Sequence, residues 1–328
     1  MRPSKTATIN LVAQSLSAGS RFNKKVGKNR MSTPSFESLL PPPNSPELEQ
    51  IKLQAHKAAY DLLVELNGRA AQDKWLQVCT SESLTAGLIM ATLVNIPWGG
   101  YLKYGCFGVY DTDAKRVFNG VSIDDVYTHR CAKEMAVGIL RNSNASIALA
   151  VTGNAMPLND HAEMVGEVFI GIAGYRTVGD TTELIYTTKS INACIESDVE
   201  GFKSLCQVWY DTIRKNKKYN PRDRTALMSQ EIRHYTTYQA LKLCLEFIQK
   251  NNPVVPDFVW NRKKENEKKN ASSNHKNIPA NKFPDSFKET CVDDEMCVNT
   301  STPLRVNTKL FATSNHSGGR RKTRRRSR

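Results

Sequence analysis

Apolar residues alternate between helical and strand spacing along the middle of the chain, and this alternation predicts the fold. The first helix is predicted over 46–66, with Ser45 as its N-cap and with apolar residues at a helical period: Leu48, Ile51, Ala55, Ala58, Leu62 and Leu66. Buried strands are predicted at 75–81, 105–110, 146–153, 165–174 and 182–188. The other predicted helices are 83–95, 113–118, 123–142, 197–216 and 226–250. We therefore expect an α/β domain, a three-layer α/β/α sandwich with a central mixed sheet.

Basic residues are concentrated at the two ends of the chain. The formal net charge is +14, but residues 1–36 hold seven Lys/Arg and no acid, and residues 320–328 hold another seven. The remaining 32 basic residues balance the 32 acidic ones, so the middle is neutral. We expect a folded domain over 45–252, a disordered basic arm at 1–44 and a disordered basic tail at 253–328. A neutral middle argues against a nucleic-acid-binding fold, whereas the tails allow sequence-independent contact with phosphate.

The cysteines and the lengths of the apolar runs limit the cellular locations expected for the protein. The eight cysteines form no Cys-x-x-Cys pair, and most lie in apolar runs where a reduced thiol packs as a small hydrophobic group. This pattern predicts a reducing, intracellular location and no metal site. No run has the apolar length of a membrane helix, and no secretory signal is present. The acid-free N-terminus favours a disordered arm, with an organelle transit peptide as the alternative.

Two strand-to-helix junctions carry residues suited to acyl transfer. At the first, Ser83 is a candidate nucleophile because helix-start N–H groups stabilise an oxyanion, and an N-cap is the alternative role. At the second, Lys115 can act as a general base if burial lowers its pKa, and a solvated surface lysine is the alternative. Tyr110 ends the second predicted strand. Thr152 and Gly153 end the third, where open α/β sheets bind ligands.

Several segments of the chain, taken in their order along the sequence, resemble the C-terminal domain of the CinA family, which is the nicotinamide-nucleotide amidase domain. The family patterns A-E-S-C-T-G-G, Y-S-N-E-A-K, V-T-G-x-A-G-P and V-G-T-V-W correspond here to SESLTAG, YGCFGVYDTDAK, ALAVTGNAMP and VGEVFIGIAG. IRHYTTYQAL, at 232–241, resembles the closing helix of the family. The resemblance covers about 46–250 and is interrupted by an insertion near 189–220.

The resemblance implies a serine amidase that uses a Ser–Lys pair. Ser83 takes the place of the nucleophile and Lys115 that of the base, while Tyr110 matches the tyrosine of the second pattern. The residues implied to bind the substrate are Thr85, Gly87, Thr152, Gly153 and Arg233, the last through a phosphate. The implied reaction converts nicotinamide mononucleotide to nicotinic acid mononucleotide and ammonia, without a cofactor or a metal. The resemblance also implies a homo-oligomer, for which the apolar stripe at 46–66 is available.

Several positions depart from the family patterns. Leu84 and Ala86 replace the cysteine and a glycine of C-T-G-G, Thr112 replaces the asparagine, and the loop at 156–164 contains no glycine. We therefore keep an alternative to the amidase: a catalytically impaired nucleotide-binding or structural protein that retained the fold. A packaging role is a third interpretation, since the Arg-rich tail at 320–328 resembles basic tails of proteins from large DNA viruses. That tail allows nonspecific contact with nucleic acid and association with a virion.

Overall fold

The computed structural model describes residues 46–70, 74–155, 165–197, 225–271 and 289–292. Several features expected from the sequence lie outside these residues. They are the arm at 1–44, the loop at 156–164, the body of the helix at 197–216 and the basic tail at 320–328.

Helices and strands alternate through the described residues as the apolar periodicity predicts. The helices are α1 (Pro46–Gly68), α2 (Leu88–Val94), α3 (Thr112–Asn119), α4 (His129–Arg141), α5 (Ala193–Glu196), α6 (Thr225–Asn251) and α7 (Asp257–Ala271). The strands are β1 (Val78–Glu82), β2 (Lys103–Gly108), β3 (Ile147–Gly153), β4 (Glu167–Val178), β5 (Thr181–Asn192) and β6 (Glu289–Cys291). The strands predicted at 165–174 and 182–188 are β4 and β5, which pair in antiparallel fashion as a hairpin.

The strands form one mixed sheet in the order β2-β1-β3-β4-β5-β6. Strand β1 runs parallel to both β2 and β3, so these three strands finish together at Glu82, Gly108 and Gly153. We name this place the strand-end edge. Strand β4 runs antiparallel to β3 and β5, and β6 runs parallel to β5. The strand-end edge is therefore the part of the sheet where the β1, β2 and β3 junctions converge.

Helices cover both faces of this sheet, which confirms the three-layer sandwich. On β3, Leu149 and Val151 pack into the core with α1, α2 and α6, whereas Ala148 and Ala150 pack against α4. This alternation follows from the period of two along a strand. The small side chains on the second face let α4 lie close to the sheet. At Gly171 an added Cβ would lie 2.2 Å from the Ala132 carbonyl oxygen.

The apolar stripe of α1 is buried within the molecule. All six predicted residues of the stripe are at most 7% exposed, and α1 packs lengthwise against α6. Burying a leucine or isoleucine side chain stabilises the fold by about 1.5–3 kcal/mol. The stripe is thus used by the core and is not the free surface that we expected for self-association. The oligomeric state itself stays a prediction.

The structure corrects the prediction of a disordered tail from residue 253 in two places. Helix α7 places Phe258 edge-on against the buried Tyr175, with ring centroids 5.5 Å apart. Strand β6 adds to the sheet beside β5, where Glu289 accepts hydrogen bonds from Lys133 at 2.9 Å and Arg141 at 2.6 Å. The apolar residues that dock α7 lie only in its first turns. The charged run that follows gave the whole segment a disordered composition.

The cysteines differ in part from the expectation of reduced thiols. Five of the described cysteines are free, namely Cys79, Cys106, Cys131, Cys194 and Cys244, whereas Cys291 is disulfide-bonded. Across the described ranges, no three His, Cys, Asp or Glu residues are grouped so as to hold a metal ion. None of the helices in the same ranges has the length and apolar character needed to cross a bilayer.

Candidate active site

The catalytic candidates lie on loops that are tied together at the strand-end edge. Ser83 directly follows β1, and its N–H donates to the Val151 carbonyl oxygen at 3.1 Å. The Val109 N–H, just past β2, donates to the Glu82 carbonyl oxygen at 2.9 Å. Because α3 begins three residues after Val109, these bonds place the Lys115 junction beside the Ser83 junction.

Lys115 is a buried lysine. Only 1% of the residue is exposed, and Nζ donates to the Tyr110 carbonyl oxygen at 2.9 Å. Burial lowers the pKa of Lys115, and the opposing effects of Cys131 and Asp111 are smaller. Asp111 caps α3 by accepting the Asp113 N–H at 2.7 Å, which fixes the turn that buries the lysine. The alternative of a solvated surface lysine is therefore wrong. A lowered pKa increases the fraction of neutral amine, which is the form a general base needs.

Ser83 is not the N-cap of a helix. Helix α2 begins at Leu88, five residues later than we predicted, and its N-cap is Gly87 without a side-chain hydrogen bond. Ser83 is 5% exposed, and its hydroxyl makes no hydrogen bond to any other residue that the structure describes. The hydroxyl is thus available for chemistry, and the capping role is wrong.

The start of α2 is capped by Glu82, a residue that the sequence reasoning missed. Its Oε2 accepts the N–H groups of Gly87 at 2.9 Å and Ile89 at 3.1 Å, and its Oε1 accepts the Met90 N–H at 3.0 Å. The Thr80 hydroxyl donates to Oε1 at 2.9 Å, and Glu82 is completely buried. An acidic group is stabilised by N–H groups at a helix start. The sequence signal that could have revealed this role is the position of Glu82, an acidic residue at the end of a strand and ahead of a helix.

Glu82 thereby closes a tight turn over residues 83–87. Ala86 and Gly87 both have positive φ angles, of 53° and 96°. The Arg233 Nε donates to the Leu84 carbonyl oxygen at 2.8 Å and anchors the turn to α6. The Thr85 hydroxyl is buried without a hydrogen-bond partner within the described part of the chain. In the same part of the chain, the N–H groups of Leu84 and Thr85 have no acceptor, so they are available to an oxyanion near Ser83.

The remaining residues predicted for the site lie around the strand-end edge. The Tyr110 side chain is 70% exposed, so it is the main chain of this residue that contacts the lysine. The Thr152 hydroxyl donates to the Val126 carbonyl oxygen at 2.8 Å and is occupied within the protein. At Gly153 an added Cβ would lie 2.5 Å from the Glu167 carbonyl oxygen, so this glycine permits close packing of two strands. Thr152 and Gly153 therefore hold neighbouring backbone in place.

The structure is an α/β sandwich in which the candidate nucleophile, Ser83, directly follows a strand at the strand-end edge. Sequence comparison identifies the class of protein. Residues 60–202 match the family described as CinA C-terminal domain. The chain thus contains a CinA-family domain. A competence-damage inducible protein of Lysinibacillus sphaericus is 34% identical over 119 residues, which are 35% of this chain and 27% of that protein. A CinA-like protein of Chloroherpeton thalassium is 34% identical over 123 residues, which are 36% of this chain and 29% of that protein.

These similarities are partial both in the length of the relatives that is matched and in the agreement with solved structures. The matched region spans less than a third of either curated relative, at 27% and 29% of their lengths. Among solved structures, the competence/damage inducible protein CihA from Agrobacterium tumefaciens is 23% identical with a TM-score of 0.39, over 58% of this chain and 93% of that chain. The organisms named are bacteria, and the comparisons give no support to the viral source suggested by the basic tail.

Proposed function

We propose that the CinA domain of this chain is an amidase that hydrolyses the carboxamide of nicotinamide mononucleotide. One observation carries the proposal: a serine with a free hydroxyl and a buried lysine lie on adjoining junctions of the strand-end edge. A Ser–Lys pair needs a neutral amine, and burial favours the neutral form of Lys115. The sequence motifs around both residues support the same assignment.

In the first half-reaction, Ser83 Oγ attacks the carboxamide carbon while the Lys115 amine accepts the hydroxyl proton. The negative charge that develops on the carboxamide oxygen accepts hydrogen bonds from the free N–H groups of Leu84 and Thr85. Lys115 then passes the proton to the amide nitrogen. The carbon–nitrogen bond breaks, ammonia leaves, and the nicotinoyl group stays on Ser83 as an ester.

In the second half-reaction, water attacks the ester carbon and Lys115 accepts a proton from that water. The bond from the carbon to Ser83 Oγ breaks, and the proton returns to Oγ. The product is nicotinic acid mononucleotide. We propose that Arg233, which is half-buried behind the turn, binds the phosphate in addition to holding the Leu84 carbonyl.

The test is release of ammonia from nicotinamide mononucleotide by the full chain. We expect Ser83→Ala and Lys115→Met to lose most of the rate while unfolding at a temperature close to that of the parent. Two matched controls lie at the opposite end of the strands. Ser146 is buried and accepts the Gln77 N–H, and Lys103 donates to main-chain carbonyls. Ser146→Ala and Lys103→Met should keep the rate, and equal losses in all four variants would contradict the Ser–Lys assignment.

A second candidate function is nucleotide binding without turnover. It is favoured by Ala86, which adopts a left-handed conformation where the family pattern has a glycine. If the full chain binds the nucleotide but releases no ammonia, this second candidate replaces the first. The attachment of residues 320–328 to nucleic acid belongs to this candidate and concerns residues that the structure does not describe.

A further inference from the structure

Strand β2 lies at one edge of the sheet and is paired on one side only. Among the strands that the structure describes, β1 is its single neighbour, and the sheet order ends at β2. The outer side of the strand therefore carries main-chain N–H and C=O groups that can pair with another extended segment. Soluble proteins guard such an edge with charged side chains, with proline or with a covering segment.

Strand β2 and the loop that leads into it lack the charged side chains that would prevent such pairing. Between Glu82 and Asp111 the sequence contains one charged residue, Lys103. Its amine is bound within the protein, because it donates to the carbonyl oxygens of Ile96 at 2.8 Å and Trp98 at 3.0 Å. The edge is therefore neutral and unguarded.

An apolar groove of about 430 Å³ lies beside the first residues of β2. Its lining includes Met90, Val94, Trp98, Tyr104 and Gly105. The side chains of Val94 and Tyr104 are 59% and 39% exposed. Large exposed apolar side chains beside an unpaired strand are typical of a surface that binds another protein segment.

A second copy of the same chain suits both the edge and the groove. Two β2 strands related by a two-fold axis at the middle of the strand run antiparallel, so the end of one lies beside the start of the other. Tyr110, two residues beyond β2, is 70% exposed and lies next to the groove of the other copy in this arrangement. The neutral edge also matches itself, whereas the basic segments at 1–36 and 320–328 would find no acidic residue within 83–110.

We propose that two copies of this chain pair through β2, with Cys106 at the two-fold axis, and form one continuous sheet. The exposed Cys106 residues of the two copies then face each other. Directly opposite residues of antiparallel strands have Cα atoms about 4.5–5.5 Å apart, which lies within the range of about 4.4–6.8 Å that a disulfide needs. Gly105 and Gly108 add no side chain that obstructs the approach of the second strand. The pairing does not depend on the amidase activity.

The experiment measures the mass of the full chain by sedimentation equilibrium under reducing conditions, and we expect a dimer. Gly105→Lys should raise the Kd of the dimer at least about tenfold, because it places a charge on the edge. An added Cβ at Gly105 meets no atom within 4 Å, so this variant should fold as the parent does. Tyr110→Ala should raise the Kd about tenfold, because the groove loses the side chain that covers it.

Leu53→Lys is the matched control, since Leu53 is 72% exposed on α1, away from β2. This variant should form dimers as the parent does. Oxidation of the parent by copper phenanthroline and oxygen should join the two copies through Cys106. Cys106→Ser should remain a dimer by sedimentation but lose this covalent link.

Three results would overturn the proposal. The first is a monomeric parent, and slow amide hydrogen exchange in β2 of that monomer would assign the edge to another segment of the same chain. The second is a dimer that Leu53→Lys dissociates while Gly105→Lys and Tyr110→Ala leave it unchanged. The third is a dimer that oxidation does not link through Cys106.

Discussion

Replacing Ala86 with glycine is expected to stabilise the protein, although glycine is ordinarily destabilising. Ala86 has a φ of 53° in the turn that Glu82 closes, and a left-handed conformation costs a non-glycine residue about 1–2 kcal/mol. Glycine removes this cost but loses about 0.5–1 kcal/mol through the greater freedom of the unfolded chain. The difference predicts that Ala86→Gly raises the free energy of unfolding by about 0.5–1 kcal/mol.

The assay is urea unfolding of the full chain, followed by tryptophan fluorescence. Two control variants surround the site. Gly87→Ala should lower the free energy of unfolding by about 1–2 kcal/mol, because φ is 96° and an added Cβ meets no atom within 4 Å, so only backbone strain contributes. Ala91→Gly, at an exposed position inside α2, makes the same chemical change as Ala86→Gly and should cost about 1 kcal/mol. If Ala86→Gly destabilises as much as Ala91→Gly, the reasoning about the left-handed turn is refuted.

Three further predictions concern the site and its support. Glu82→Gln should lower the free energy of unfolding by about 1–3 kcal/mol and slow ammonia release, because an amide group cannot accept all the N–H groups at the start of α2; an unchanged urea midpoint would contradict the capping role. The rate of ammonia release should rise with pH until the Lys115 amine is deprotonated, with an apparent pKa below the ordinary lysine value of 10.5, and a rate that falls as pH rises through this range would exclude Lys115 as the base. Ending the chain after residue 252 should lower the melting temperature by several degrees, because the truncation uncovers Tyr175 and removes Glu289, which pairs with Lys133 and Arg141. An unchanged melting temperature would refute a structural role for α7 and β6.

The apolar period along the chain was enough to predict the three-layer sandwich, because each strand and helix buries one regular set of side chains. The same period placed the start of α2 five residues too early. Residues 83–87 continue the apolar pattern, but the positive φ angles of Ala86 and Gly87 keep this segment out of the helix. The capping role of Glu82 was missed because its side chain accepts N–H groups that lie five to eight residues further along the chain. Burial of Lys115 depends on packing between α3 and α4, which local sequence does not show.

The C-terminal segment and the candidate site are connected through α4. At one end of the sheet, Glu289 of β6 binds Lys133 and Arg141 of this helix. The same helix carries Cys131, which is completely buried and whose thiol lies within electrostatic reach of Lys115. Burial raises the pKa of the Cys131 thiol to about 12, so at neutral pH the thiol is protonated and its opposing effect on the pKa of Lys115 is smaller than the effect of burial. An element that holds α4 against the sheet therefore also preserves the buried surroundings that lower the pKa of the Lys115 amine, so β6 supports a candidate site that it does not touch.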